Sequence, residues 1–434
     1  MKNRVYSNEV INFENDTTIT LKGWIHSIRE LGRIFFWVLR DCMGTVQIVI
    51  INPKKRDDYD LIKSIRNEYV VEIIGKVSHN EKAPNGVEVL LDKVSVIAPS
   101  ISPLPLSVEQ KTHANFDTRL KYRYLDVRTF KTRAIFKVRA AVVEGARKYF
   151  KNNNFTEIHT PKIISVGAEG GTTLFPVYYF GKEVYLAQSP QFYKQMATLA
   201  FEKVFEIGPF FRAEKSRTRR HLAESWGIDV EVAFADEQDI MDIQEDLLIS
   251  IFNEVKSSCP KELELFNVDL KIPKKPFPRI TFKEAAEIAL KKGIKVDFNE
   301  DLSSEAEEII RSEFDSPFFI TEFPINCVAF YYGPHENDPN LSYKLDLLYP
   351  GKDGLELTSG GRRCTDPDTL VERAKKAGIR PETLGWYLEM FKVGGVPPHS
   401  GFGMGIDRLV MVILKLPNVQ EAVLCPRTVD ILSP

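Results

Sequence analysis

Three glycines and one arginine in the stretch HSGFGMGIDRL, residues 399–409, could build a ligand-binding surface. Alternate residues of a β-strand share a face, so Gly401, Gly403 and Gly405 would leave one face without side chains. A flat ligand could lie against this bare backbone, and Arg408 in the first turn of a following helix could reach a phosphate. The alternative is a strand that packs closely on its neighbour. The spacing matches neither the G-x-G-x-x-G of a dinucleotide fold nor a phosphate loop, which carries a lysine.

A second stretch, VFEIGPFFRAEKSRTRRHLAESWGIDVEVAFAD at residues 204–236, predicts a strand, a charged loop and a returning strand. Arg212 and Glu214 share a face near the end of the first strand, and Asp229 and Glu231 face away from the apolar side of the second. A solvated surface is the alternative reading of such a charge run. The loop concentrates cations that suit a polyphosphate, namely Lys215, Arg217, Arg219, Arg220 and His221.

The composition is that of a globular protein. The 434 residues are 43% hydrophobic and 27% charged, which predicts two or three domains with a sizeable core. A net charge of −2 provides no general attraction to nucleic acid, so a polyanion would have to meet a local basic patch. The five cysteines form no C-x-x-C pair, which favours reduced thiols in the cytoplasm over a structural zinc site. The sequence shows neither a secretory segment nor a membrane-length apolar run, so we expect a cytoplasmic protein without a membrane partner.

Two kinds of secondary-structure pattern divide the chain. Residues 17–98 predict five short strands with one helix between the third and fourth, the order of an OB-fold barrel. We therefore expect an OB-fold domain over residues 1–103 and a proline-containing linker over 104–130. Residues 131–434 mix strands and helices without a βαβ rhythm, which favours an α+β domain whose antiparallel sheet is flanked by helices. A small helical insertion is expected at about 280–330.

Three ordered motifs resemble those of the class II aminoacyl-tRNA synthetases. They are FTEIHTPKI, FRAE followed by RHL, and GFGMGIDRL. The barrel and the linker segment DTRLKYRYLDVR are similar to the subgroup for aspartate, asparagine and lysine, and the ending CPRTVDILSP most resembles its archaeal aspartate branch. The resemblance covers essentially the whole chain and implies a homodimer with Pro161 at the subunit interface.

The resemblance implies a two-step reaction. The carboxylate of L-aspartate attacks the α-phosphate of ATP, and the aspartyl group of the adenylate then passes to the 3′ end of tRNA(Asp). Such chemistry needs positioning and charge neutralisation. The implied catalytic residues are Arg212, Glu214 and Arg408, and Mg²⁺ would be held by Glu356 and Ser359. The ATP-binding residues would be Arg212, Glu214, Arg220, His221, Leu222, Glu356, Gly405 and Arg408.

The same resemblance implies an amino-acid pocket. Lys194 and Arg363 would face the side-chain carboxylate of aspartate, and a neutral asparagine would leave both buried cations unpaired. Gln191 and Asp229 would bind the ammonium group, and Glu169 would close over the amino acid. The full set is Glu169, Ser189, Gln191, Lys194, Asp229, Ser359 and Arg363.

On the barrel, the resemblance implies anticodon recognition. Phe36 would stack on a base, and Gln47 would contact a base edge. Arg29 would pair with the anticodon. His26 and Pro84 resemble the residues found in those enzymes of the family that also charge tRNA(Asn).

Three alternatives stay open at this point. An asparagine–tRNA ligase or a related amidating enzyme would share the fold. A catalytically inactive RNA-binding paralogue would use the barrel alone, but it would be expected to lack Arg212, Glu214, Arg408 or Glu356, all of which are present. A small-molecule ligase of this fold would usually lack the barrel.

Overall fold

The computed structural model describes residues 4–109, 114–167, 174–213 and 221–433. The chain divides into two compact units, Met1–Thr129 and Phe130–Pro434. No helix within the described ranges is both long and apolar enough to cross a membrane.

The first unit contains a closed five-stranded barrel in the strand order β1-β2-β3-β5-β4. Side chains of its strands alternate between the interior and the surface, and Trp37 is fully buried in the barrel core. The predicted five strands and the helix between the third and fourth of them along the chain are confirmed. The elements are β1 Thr18–Leu31, β2 Ile34–Arg40, β3 Thr45–Ile51, α1 Tyr59–Ser64, β4 Val70–His79 and β5 Val87–Ala98, followed by α2 Phe116–Lys121 and α3 Arg123–Asp126.

The second unit is an α+β domain, as predicted. Its helices are α4 Phe130–Asn152, α5 Gln191–Phe201, α6 Glu237–Ser258, α7 Pro260–Leu265, α8 Phe282–Lys291, α9 Ser304–Ser312, α10 Pro367–Lys376, α11 Gly385–Val393 and α12 Ile406–Leu414. Its strands are β6 Thr156–Glu157, β7 Ile163–Ile164, β8 Pro176–Tyr179, β9 Lys182–Leu186, β10 Lys203–Phe211, β11 Glu224–Ala233, β12 Arg279–Thr281, β13 Phe318–Thr321, β14 Lys344–Leu348, β15 Glu356–Arg362 and β16 His399–Gly405.

Eight of these strands form the main sheet in the order β12-β13-β14-β15-β16-β11-β10-β6. The strands from β13 to β10 pair antiparallel, as expected, whereas the edge pairs β12–β13 and β10–β6 are parallel. The segment expected as a helical insertion contains α8 and α9 and also supplies β13 to the sheet.

The two faces of the main sheet have opposite chemistry. One face packs against α4, α6 and α12 through a continuous apolar core, which includes Leu345, Leu347, Ile228, Val230, Phe402 and Met404. Because successive side chains of a strand point to opposite faces, the residues between these lie on the other face. That face carries two cross-strand rows of polar residues and glycines, with Asp346, Ser359, Gly403 and Asp229 in one row and Lys344, Gly361, Gly401 and Glu231 in the other.

Candidate active site

A cavity of about 460 Å³ lies over the polar face of the main sheet. It brings together the predicted amino-acid-binding residues that fall within the described ranges, namely Ser189, Gln191, Lys194, Asp229, Ser359 and Arg363. It also brings together the corresponding ATP-binding residues, namely Arg212, His221, Leu222, Glu356, Gly405 and Arg408. The remaining predicted residues, Glu169, Glu214 and Arg220, lie outside the residues that the structure describes.

Gly401 and Gly403, on the polar face of the main sheet, are glycines for different structural reasons. A Cβ atom at Gly401 would lie 2.1 Å from Oε2 of Glu231 and 2.2 Å from the carbonyl oxygen of Val230. At Gly403 the nearest atom would be Oδ1 of Asp229 at 3.4 Å, which is an ordinary contact distance. Gly403 lines the cavity. Gly401 therefore allows the buried carboxylate of Glu231 to approach the backbone, whereas Gly403 leaves the cavity free of a side chain at its position. Close packing explains the first glycine and a bare ligand-binding face explains the second, so both sequence-based explanations apply.

Helix α5 has a buried polar face, of which Gln191 and Lys194 line the cavity. Its residues Gln191, Lys194, Gln195 and Thr198 recur at i, i+3, i+4 and i+7, the spacing of one helix face, and all four are buried. The ammonium group of Lys194 donates to Oδ1 of Asp229 at 3.0 Å and to the carbonyl oxygens of Val230 at 3.3 Å and Phe402 at 3.2 Å. Lys194 thus reaches the sheet next to the glycines.

Glu231 forms the centre of the charge arrangement, a role that the sequence did not indicate. Its carboxylate accepts a bidentate pair of hydrogen bonds from Arg363 at 2.8 and 3.1 Å and lies 3.4 Å from the ammonium group of Lys194. Both Glu231 and Arg363 are almost inaccessible to solvent. Burial alone would raise the pKa of Glu231, but the charges of Arg363 and Lys194 outweigh it, so this pKa lies below its ordinary value.

The pairing of these four charges corrects one step of the sequence argument. Lys194 and Arg363 were expected to depend on the substrate carboxylate for their counter-charge. Instead, Asp229 and Glu231 already balance both cations. Arg363 keeps one donor for a ligand, because its buried Nη1 atom has no hydrogen-bond partner among the residues described.

Arg408 also lines the cavity and lies in the first turn of α12, as predicted. Its Nη1 atom donates to the carbonyl oxygen of Glu356 at 3.2 Å and lies 3.5 Å from the Glu356 carboxylate. The preceding residue, Asp407, pairs with Arg139 of α4 and accepts from the backbone nitrogen of Trp226 at 2.9 Å. These contacts fix the start of α12 relative to β11 and α4.

A buried ion pair on β14 was also missing from the sequence interpretation. The ammonium group of Lys344 lies 2.9 Å from Oδ2 of Asp346 and 3.0 Å from Oδ2 of Asp301. Burial raises the pKa of Asp346 to about 7, although the charge of Lys344 opposes this shift. The other oxygen of Asp346, Oδ1, is buried without a hydrogen-bond partner in the part of the chain described. Asp346 is the cross-strand neighbour of Ser359, so both belong to the same face.

Aromatic side chains line the cavity beside Arg212. The guanidinium carbon of Arg212 lies 5.5 Å from the ring centroid of Phe210, a distance suited to a cation–π contact. Ser225 and Trp226 also line the cavity, and Trp226 is 39% exposed. A flat ring entering here would meet aromatic and guanidinium planes.

The barrel places three of the predicted anticodon residues on one outer face. Phe36 on β2 is the cross-strand partner of Arg29 on β1, and Val38 on β2 pairs with Gln47 on β3. Directly opposed residues share a face, as do Phe36 and Val38, so Arg29, Phe36 and Gln47 lie together. Phe36 is half-buried, and Gln47 donates to Oε2 of Glu88 at 2.9 Å.

The other two predicted anticodon residues occupy different parts of the barrel. His26 lies at an irregularity of β1, where its Nδ1 atom is 3.1 Å from Nη1 of Arg40. Pro84 is exposed in the turn before β5.

Two family models match the chain. The description "tRNA synthetases class II (D, K and N)" applies to residues 115–429, and "OB-fold nucleic acid binding domain" applies to residues 19–104. The first match covers most of the chain and contains every residue of the cavity.

Similar proteins come from archaea and from eukaryotes. The chain is 44% identical over 428 residues to the Aspartate--tRNA(Asp/Asn) ligase of Archaeoglobus fulgidus, which covers 98% of each chain. It is 45% identical over 418 residues to the protein of the same name from Methanocaldococcus jannaschii, covering 96% of this chain and 94% of that one.

Among solved structures, the asparaginyl-tRNA synthetase of Pyrococcus horikoshii with asparaginyl-adenylate has a TM-score of 0.96 at 36% identity and covers 100% of both chains. The aspartyl tRNA synthetase of Entamoeba histolytica has a TM-score of 0.85 at 30% identity, covering 99% of this chain and 92% of that one.

Proposed function

The chain belongs to the class II tRNA synthetases of the D, K and N type, and on this premise we propose that it is an aspartate–tRNA ligase. It activates L-aspartate with ATP and transfers the aspartyl group to the 3′ end of tRNA(Asp). The observation that carries the choice of aspartate is the buried Nη1 donor of Arg363 in the cavity, which has no hydrogen-bond partner among the described residues. The names of the archaeal relatives support the same choice.

In the activation step, the α-carboxylate of aspartate forms a bond to the α-phosphorus of ATP, and pyrophosphate leaves. Arg212 neutralises charge on the α-phosphate, and Arg408 binds the γ-phosphate, with His221 beside the outer phosphates. Glu214 and Arg220, which complete the proposed ATP site, lie outside the described residues. No side chain has to act as a nucleophile, because positioning and charge neutralisation lower the barrier.

The amino-acid end of the cavity selects a ligand by its donors and acceptors. A side-chain carboxylate offers an acceptor to Nη1 of Arg363 with either oxygen, whereas an asparagine amide offers one acceptor and one donor group. In this proposal, Asp229 and Gln191 bind the ammonium group, Ser189 and Ser359 complete the pocket wall, and Glu169 closes over the amino acid. Lys194 adds positive potential behind the carboxylate.

Magnesium fits the oxygen donors at the ATP end. The carboxylate of Glu356 and the hydroxyl of Ser359 are hard ligands, and Asp346, whose Oδ1 atom has no hydrogen-bond partner among the described residues, lies on the same face as Ser359. We propose that these three residues would hold Mg²⁺. The bound ion would neutralise phosphate charge.

Amino-acid-dependent ATP–pyrophosphate exchange tests the proposed specificity. With aspartate and asparagine side by side, we expect kcat/KM to favour aspartate by at least about 10²-fold, because a mismatched buried polar pair costs roughly 1–3 kcal/mol and a charged one more. Exchange that is driven by asparagine and not by aspartate would reject the proposal.

An asparagine–tRNA ligase is the second candidate, and a specific observation favours considering it. Asp229 and Glu231 already neutralise Lys194 and Arg363, so the cavity accepts a neutral side chain without leaving two unpaired cations. The high TM-score with an asparaginyl-tRNA synthetase supports the same candidate. The exchange experiment separates the two.

Replacing Phe36 with alanine tests the proposed anticodon face. We expect the KM for tRNA(Asp) to rise between fivefold and about 10²-fold, since stacking of one base on an aromatic ring contributes about 1–3 kcal/mol. Aspartate-dependent exchange without tRNA should stay unchanged, and Phe36→Trp should preserve tRNA binding. An unchanged tRNA KM in Phe36→Ala would remove Phe36 from the interface.

The remaining expectations concern partners. We propose that tRNA(Asn) is a second acceptor, which the Asp/Asn names of the relatives and the residues His26 and Pro84 support. The homodimer and the cytoplasmic location stay predictions, which sedimentation and localisation experiments can test.

A further inference from the structure

A chain of hydrogen bonds between buried side chains begins at Gln191, which lines the cavity. Gln191 donates through Nε2 to Oε1 of Gln195 at 3.1 Å, and the hydroxyl of Tyr387 donates to the same oxygen at 3.1 Å. Nε2 of Gln195 lies 2.8 Å from Nε2 of His399, and Nδ1 of His399 lies 2.7 Å from the carbonyl oxygen of Pro397. The chain joins α5, α11 and β16, and none of its side chains is more than 3% exposed.

The direction of every bond in this chain follows from its last member. A proline carbonyl oxygen can only accept, so Nδ1 of His399 must carry a hydrogen. Burial lowers the pKa of His399, which favours the neutral ring, and its Nε2 atom must then be an acceptor. The amide nitrogen of Gln195 therefore points to His399, and its oxygen points to Gln191 and Tyr387.

This direction determines which atom Gln191 offers to the cavity. Since Gln195 presents an oxygen, Gln191 must turn its NH₂ group inward, and its Oε1 atom remains to accept a hydrogen bond from a ligand. Gln191 lines the cavity together with Asp229. An ammonium group only donates hydrogen bonds, so it requires partners such as an acceptor oxygen and a carboxylate. If Gln191 turned its oxygen inward instead, its NH₂ group would face the ammonium group, and two donors would oppose each other.

We propose that His399 and Gln195 are positioning residues that fix the amide orientation of Gln191 for the α-ammonium group of the amino-acid substrate. The inference rests on the proposed ligase function and deepens it, because it assigns a role to residues that do not touch the substrate. Tyr387 supports the same orientation through its hydroxyl, and its ring is held by stacking on Phe192 with a centroid distance of 4.2 Å.

The test replaces Gln195 with methionine, which keeps the side-chain length and removes both hydrogen-bonding groups. We expect the KM for aspartate in exchange to rise about tenfold or more, because Gln191 can then present either end of its amide to a charged donor. The KM for ATP should change less than about twofold. Succinate, which has both carboxylates of aspartate and no ammonium group, should inhibit the variant and the parent protein with equal strength.

Gln244→Met is the matched control. Gln244 is an equally buried glutamine on α6, where it bonds to Ile240 and Thr358 on the apolar side of the sheet. This control should lower the melting temperature without changing the ratio of aspartate KM to succinate inhibition constant. Tyr387→Phe is the second variant, and it tests the same positioning role if Gln195→Met does not fold. It should raise the KM for aspartate severalfold and leave succinate inhibition unchanged.

Equal weakening of aspartate and succinate in Gln195→Met, or in Tyr387→Phe where the first variant does not fold, would show a merely structural role and overturn the inference. An unchanged aspartate KM would overturn it as well. Failure of the proposed function is distinguishable, because it would be visible in the unmodified protein as exchange driven by asparagine. In that case the same comparison, made with asparagine and succinamate, still tests the positioning role.

Discussion

Replacing Arg363 with methionine is expected to lower kcat/KM for aspartate in pyrophosphate exchange by about 10³-fold. Truncating one partner of a buried, hydrogen-bonded charge pair between a protein and its ligand costs roughly 2–5 kcal/mol of binding free energy, and each 1.36 kcal/mol corresponds to about tenfold in rate. Two losses coincide here, because the variant loses the Nη1 donor and leaves the fully buried Glu231 without its bidentate partner. Exchange measured over a range of aspartate concentrations checks the expectation.

Because the same replacement also destabilises the fold, a double variant separates the two effects. Arg363→Met combined with Glu231→Gln removes the uncompensated charge, so thermal stability should recover while exchange stays low. Arg363→Lys should fall between the parent and Arg363→Met, since an ammonium group keeps the charge and loses the planar fork. Aspartate-dependent exchange within about tenfold of the parent in Arg363→Met would contradict the proposed role of Arg363.

The second large effect concerns Gly401 and Gly403 on β16. Alanine at the first should mainly lower stability, and alanine at the second should mainly weaken ligand binding. Gly401→Ala would place a methyl group 2.1 Å from Oε2 of Glu231 and 2.2 Å from a backbone oxygen that cannot move independently. We expect a loss of about 3 kcal/mol or more in the free energy of unfolding, at or above the upper end of ordinary overpacking. Urea denaturation of the purified variant measures it.

Gly403→Ala is the matched control at the neighbouring position of the same face. Its methyl group would meet Oδ1 of Asp229 at 3.4 Å, so stability should stay within about 1 kcal/mol of the parent. The methyl group would rise into the cavity, and KM for aspartate or ATP should increase about tenfold. Equal stability of the two variants would refute the distinction between a close-packing glycine and a ligand-facing one.

Local sequence patterns predicted the parts of the fold that interactions between neighbouring residues determine. Alternating burial in β1 to β5 and the apolar segment after Gly405 depend on residues that are close in sequence, so periodicity predicts them. The glycine spacing on β16 likewise indicated a strand with one bare face. The same pattern placed Arg408 in the first turn of the following helix, whereas the position of Lys194 in the cavity was implied by the family resemblance and not by periodicity.

The charge pairing behind the pocket could not be predicted in this way. Glu231 faces Gly401 and Arg363 only because β11, β16 and β15 are neighbours in the sheet, and that register joins residues far apart in the chain. One local signal was available: the polar residues Gln191, Lys194, Gln195 and Thr198 recur at helical spacing, which indicates a polar helix face. The sequence did not indicate that this face would be buried.

A crystal structure of the protein with a non-hydrolysable aspartyl-adenylate analogue tests the proposed amino-acid pocket most directly. We predict that one oxygen of the side-chain carboxylate lies within hydrogen-bond distance of Nη1 of Arg363, with the ammonium group between Asp229 and Gln191 and the adenylate over Gly403. A side-chain carboxylate that is directed away from Arg363, or an analogue bound elsewhere than over Gly403, would contradict the proposed role of this pocket.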